Sequence, residues 1–184
     1  MRCEVHTATG LLIGARQVLS PHCDDRPQGM NPELLVLHGI SLPPGEFGGP
    51  WIDRLFTGSL PAAAHPYFAQ IAEARVSAHV LIRRDGELVQ YVAFGRRAWH
   101  AGVSQFEGRP ACNDFSVGIE FEGADDCRYE ESQYAAAAAL LQALLRAYPT
   151  LAVQRLVGHS DIAPGRKTDP GAAFDWAKMR AMLA

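Results

Sequence analysis

The sequence predicts an α/β fold: a single domain with a mixed central β-sheet flanked by helices. Three observations lead there. Short apolar strand-like runs are interleaved with helix-forming runs along the chain. One pair of runs is joined by a tight turn and must be antiparallel, which argues against a purely parallel doubly wound sheet. The 184 residues suit one domain that buries about two thirds of its unfolded surface. The domain is expected to span residues 1–184, with its core over about residues 20–184.

Each element has its own local reason. Residues 34–37, Leu-Leu-Val-Leu, form the short apolar run of a buried strand. A helix is expected over residues 67–74. Residues 78–82 and 87–92 read as strands flanking Arg83-Arg84-Asp85-Gly86, and the Asp-Gly pair makes this the clearest hairpin in the chain. Residues 116–121 alternate, with Val117, Ile119 and Phe121 on one face and Glu120 on the other. Residues 131–147 are rich in Ala, Leu and Gln, all strong helix formers. Glu130 and Glu131 suit the positive end of that helix, and Tyr148-Pro149 ends it. A weaker strand follows at residues 155–158, and a last helix runs from Asp175, a good N-cap, to the C-terminus. The Pro- and Gly-rich loops at residues 41–50 and 102–114 are long enough to build a cleft.

Composition narrows the partners. The chain is 48% hydrophobic and 20% charged, with a formal net charge of −3, so nothing draws it toward nucleic acid or an anionic membrane. No apolar run approaches the roughly 20 residues that cross a bilayer, and the first residues lack the apolar centre of an export signal. A cytoplasmic protein, as a monomer, is the expectation. Cys3, Cys23, Cys112 and Cys127 show no paired spacing and read as free thiols.

Three segments place ionisable residues at strand ends. His38 ends the first apolar run, Glu120 sits opposite an apolar strand face, and residues 158–170 carry His159, Lys167 and Asp169. Lys167 and Asp169 are two apart, so an extended backbone aims both side chains one way. Two histidine nitrogens and one carboxylate oxygen, from His38, His159 and Asp169, suit a four-coordinate zinc with one open position. Taken singly, a strand-end histidine is more often a hydrogen-bonded structural residue, and these candidates are too far apart in sequence for spacing to decide. His79 reads as such a structural residue. His65 reads as a cap for the helix after it. His100 reads as a cleft residue rather than a ligand, and Glu122 is the alternative carboxylate to Glu120.

A resemblance changes that balance. It rests on Leu37-His38-Gly39-Ile40-Ser41-Leu42-Pro43-Pro44-Gly45-Glu46-Phe47-Gly48, His65-Pro66-Tyr67-Phe68, Val76-Ser77-Ala78-His79 and Arg97-Ala98-Trp99-His100-Ala101-Gly102-Val103-Ser104. Cys112-Asn113-Asp114-Phe115-Ser116-Val117-Gly118-Ile119-Glu120 and Ile162-Ala163-Pro164-Gly165-Arg166-Lys167-Thr168-Asp169-Pro170-Gly171 continue it. Together these collinear motifs resemble the AmpD-type anhydro-N-acetylmuramyl-L-alanine amidases, within the group that includes peptidoglycan recognition proteins and phage-type amidases. The resemblance implies that group's mixed sheet and a Zn2+ cofactor. It implies hydrolysis of the lactyl–L-alanine amide of anhydro-muropeptides in cytoplasmic cell-wall recycling, a reaction that in the family tunes β-lactamase induction. It implies His38, His159 and Asp169 as zinc ligands, Glu120 and Lys167 as the catalytic pair, and Tyr67, Arg75 and Trp99 as cleft residues. Two positions depart from the family pattern. Gly39 stands where asparagine commonly follows the first zinc histidine, and Gly165 where glutamate is common. A binding-only recognition protein is the main rival, but such relatives typically lose a ligand. A secreted wall-trimming amidase is the second, and it would need an export signal.

Overall fold

The computed structural model describes residues 3–184. Its central sheet has six strands: β1 (Arg16–Gln17), β2 (Leu34–Ile40), β3 (Val80–Ile82), β4 (Leu88–Gln90), β5 (Ser116–Glu122) and β6 (Leu156–Gly158). Their order across the sheet is β6-β2-β5-β3-β4-β1. The β3–β4 hairpin is antiparallel and every other pairing is parallel, so the sheet is mixed as expected. Gly86 closes that hairpin at φ 88°, a left-handed turn position that suits glycine.

Helix α3 (Glu131–Ala147) covers one face of the sheet. Glu130 and Gln133 form a capping box at its start. Its small and aliphatic side chains, Ala136, Ala137, Leu140, Leu141 and Leu144, pack against Leu35, Leu37, Val80, Ile82, Val117, Ile119 and Phe121. Burying one such leucine contributes about 1.5–3 kcal/mol, so this layer anchors both central strands. On the opposite face α1 (Trp51–Phe56) and the short α2 (Phe68–Ile71) cover Leu81, Val89 and Tyr91. That second face continues over β2 through Leu34 and Val36, against Ala101, Cys112, Phe115 and Ile162.

Several expectations shift. The strand begun at Leu34 runs on to Ile40 and so includes His38. The helix expected over residues 67–74 is one turn, Phe68–Ile71, because the chain leaves it toward Ser77, whose N–H donates to Trp99 O at 3.1 Å. His65 Nδ1 accepts the N–H of Tyr67, the residue before that turn, at 3.1 Å, but no side chain caps the turn itself. Cys3, Val5 and Leu12 are buried in the α3 layer, so the core starts well before residue 20. The 102–114 loop carries a ribbon, Gln105–Phe106 with Arg109–Pro110. Asp175 caps α5 (Trp176–Ala181) by accepting the Lys178 N–H at 2.9 Å. The four cysteines are free. Among the described residues no helix is long and apolar enough to cross a membrane.

Candidate active site and metal centre

Strands β2, β5 and β6 run parallel, so their carboxyl ends share one edge, where open α/β sheets place their ligands. On that edge Glu120 is in register with His38, and paired residues of parallel strands project to the same face. His159 follows β6 directly, at the start of α4 (His159–Ile162). Asp169 returns through an irregular loop, fixed where Ser160 N–H donates to Asp169 O at 3.1 Å.

Three side-chain atoms converge. His38 Nδ1 and His159 Nδ1 are 3.0 Å apart, and Asp169 Oδ2 lies 3.2 Å from the first and 3.1 Å from the second. Both imidazoles are buried. Burial pushes the His38 ring down to about 4, so it is neutral near pH 7. Burial also penalises the Asp169 carboxylate, but its contacts with His159 and His38 outweigh that and hold it below the usual carboxylate range. His159 Nε2 lies 3.3 Å from Ala101 O, a carbonyl that can only accept, so that nitrogen donates there. Two imidazole nitrogens and a carboxylate oxygen thus lie within 3.2 Å of one another, an arrangement a cation satisfies. Donors held about 2.0–2.1 Å from a tetrahedral zinc stand about 3.3 Å apart, close to these edges. The described residues hold one such group of possible metal-binding side chains. Two histidines and one carboxylate match the three-ligand composition of catalytic rather than structural zinc.

Glu120 faces the same cavity, of about 440 Å³, and its Oε2 is buried without a partner. Burial raises its carboxyl well above the ordinary range, the Asp169 charge adds to this, and Lys167 opposes it. Lys167 is exposed and lines the cavity together with Asp169, although residues 167–169 are not part of a strand. Tyr67 and Trp99 line it as well. Trp99 is held there by Nε1–H donating to Asp24 Oδ1 at 3.1 Å and by stacking on His22. Arg75 is exposed and does not itself line the cavity, whereas Val76 and Ser77 do.

Two residues that the sequence reading missed shape the site. Tyr129 donates its hydroxyl to Pro170 O at 2.8 Å, pinning the chain next to Asp169. A Cβ at position 39 would sit 2.5 Å from that hydroxyl, which gives a steric reason for Gly39. Asn113 Oδ1 accepts the N–H groups of His100 and Ala101, at 3.1 and 2.8 Å. Gly165, the other departure, has φ 77° and open space around it, so its reason is conformational. His79 is structural: its Nδ1 accepts Gly118 N–H at 3.0 Å, which leaves Nε2–H for Arg96 O at 3.1 Å.

Residues 28–172 match the family model described as N-acetylmuramoyl-L-alanine amidase. The chain is 62% identical over 175 residues to the 1,6-anhydro-N-acetylmuramyl-L-alanine amidase AmpD of Escherichia coli (strain K12), covering 95% of each. A crystal structure of a selenomethionine AmpD derivative superposes with a TM-score of 0.93 at 61% identity, covering 96% of this chain and 98% of the other. A Pseudomonas aeruginosa relative solved in complex with anhydromuramic pentapeptide gives a TM-score of 0.60 at 32% identity. That match covers 85% of this chain and 61% of the relative.

Proposed function

This chain belongs to the N-acetylmuramoyl-L-alanine amidase family, and from that membership we propose that it hydrolyses the lactyl–L-alanine amide of 1,6-anhydro-muropeptides in cytoplasmic cell-wall recycling. The observation that carries this reading is a single cavity holding three convergent metal-type donors beside a buried carboxylate with an unpartnered oxygen. His38, His159 and Asp169 would hold Zn2+, which would supply a Lewis acid and lower the pKa of a water toward 7. Glu120 is the general base. Its raised proton affinity suits it to take a proton from the attacking water and pass it to the leaving amine of L-alanine. Lys167, on the same cavity wall, faces the oxygen that becomes anionic when the amide carbonyl is attacked. Tyr67 and Trp99 are apolar walls for the sugar, and Arg75 at the rim pairs with carboxylates of the stem peptide. The substrate names carried by the relatives, an anhydro-muramyl amidase and an anhydromuramic pentapeptide complex, support this choice of ligand.

One measurement separates chemistry from substrate. We expect zinc-loaded protein to cleave anhydro-muramyl tripeptide with a higher kcat/KM than its reducing counterpart or purified sacculus, and chelation to abolish all three activities. Equal or better cleavage of sacculus would remove the recycling role and leave the amidase standing. Activity that survives complete metal removal would remove the zinc chemistry.

A further inference from the structure

We propose that His100 is a positioning residue: it turns the His38 ring so that Nδ1 faces the metal centre, while the next carbonyl, Ala101 O, does the same for His159. The proposal rests on the metal site argued above and adds the shell that aims it. An imidazole that gives a lone pair to a metal must keep its proton on the other nitrogen, and an acceptor there fixes both tautomer and orientation. For His159 that acceptor is Ala101 O, 3.3 Å from Nε2. For His38 the facing atom is His100 Nδ1, 2.9 Å from Nε2, and His100 Nε2 in turn lies 3.0 Å from Ser116 Oγ. Of the two proton orders this row allows, a metal at His38 Nδ1 selects one: His38 Nε2–H donates to His100 Nδ1, and His100 Nε2–H donates to the serine oxygen. It leaves His38 Nδ1 as a lone pair facing His159 and Asp169.

The site-facing side of β5 is laid out for this purpose. Ser116, Gly118 and Glu120 alternate on one face. Ser116 ends the hydrogen-bonded row, and Glu120 enters the cavity. Gly118 between them is the seat of the His100 ring, because a Cβ at that position would collide with the imidazole. The backbone at residues 100–101 is held too. Asn113 Oδ1 accepts both N–H groups, and Ala101 O accepts from Arg166 Nη2 at 2.7 Å as well as from His159. One clamped dipeptide therefore orients both histidines of the metal centre.

The test is zinc affinity, read by competition with a chromophoric chelator rather than by turnover. His100→Leu fills the seat without an acceptor, whereas His100→Asn places an amide oxygen where Nδ1 stood. We expect His100→Leu to weaken zinc binding by about 10- to 100-fold and His100→Asn to recover most of that loss, with similar unfolding midpoints for the metal-free proteins. Ser116→Ala keeps ring and seat, and it should weaken zinc several-fold even if the leucine variant fails to fold. Unchanged affinity in Ser116→Ala, or equal losses in the leucine and asparagine variants, would overturn the positioning role. A His159→Ala control that binds zinc as tightly as the parent would instead sink the metal site itself.

Discussion

Glu120 and Glu122 lie two residues apart on β5, on the same face, and each opens onto its own cavity across the 41–50 loop. Glu122 belongs to the larger one, about 810 Å³, where Arg83 Nη1 donates to it at 3.1 Å, Gly48 N–H at 2.6 Å and Arg84 N–H at 3.2 Å. Arg16, Asp53 and Glu87 in the same cavity are likewise paired with one another. Glu120 looks into the smaller cavity with Oε2 unpartnered and its proton affinity raised. On the function proposed above, it is not size but unmet hydrogen-bonding capacity that distinguishes the active cavity: one carboxylate is spent on holding the loop, and the proposed general base keeps an unpartnered oxygen.

The largest expected effect tests that free carboxylate. Glu120→Gln should keep both zinc and fold, because Gln has the same size and the lost oxygen has no partner to strand. Turnover should fall on the order of a hundredfold or more, about 2.7 kcal/mol in the barrier, because the amide cannot accept the proton. Near-normal kcat with bound zinc would reverse the contrast between the two glutamates.

Glu122→Gln should show the opposite pattern. Its amide NH2 would face either the donors on Oε1 or the Arg84 N–H on Oε2, and Arg83 would lose a buried counter-charge. The expected cost is about 1–3 kcal/mol of stability, read as a lower melting temperature, with kcat little changed where the protein remains folded. A dead but fully stable variant would move the general base to Glu122.

What the sequence made legible follows from the range of the forces involved. The Asp-Gly hairpin, the alanine-rich helix and the alternating β5 face are local patterns, and each formed where its pattern lay. Cys23–Asp25 and Arg96–Ala98 escaped notice because their pairing is supported by ion pairs, Asp24 with Arg97 and Asp25 with Arg96, not by apolar alternation. Residue type made His38, His159 and Asp169 candidates, but only a resemblance favoured them as one site, since contacts spanning as many as 131 positions leave no local trace. Tyr129 and Asn113 act on the site only through backbone atoms brought close by the fold, and no residue type at those positions announces it.

The smallest effect belongs to Arg16, on the wall of the larger cavity. Its guanidinium bridges Glu87 and Asp53, each at 2.9 Å, but its side chain is 40% exposed and that of Glu87 42%, so solvent screens the pairing. Removing it strands little. Asp53 keeps the Tyr91 hydroxyl and Arg83 Nη2, and Glu87 turns to water. Arg16→Ala should therefore cost no more than about 1 kcal/mol of stability, and kcat/KM on an anhydro-muramyl peptide should stay within about twofold of the parent. This is the variant that most directly probes whether the larger cavity takes part in catalysis. A tenfold rise in KM with zinc content and melting temperature unchanged would mean that the stem peptide reaches across the 41–50 loop into it. The two cavities would then be two halves of one cleft, and the Glu122 network would anchor substrate as well as loop.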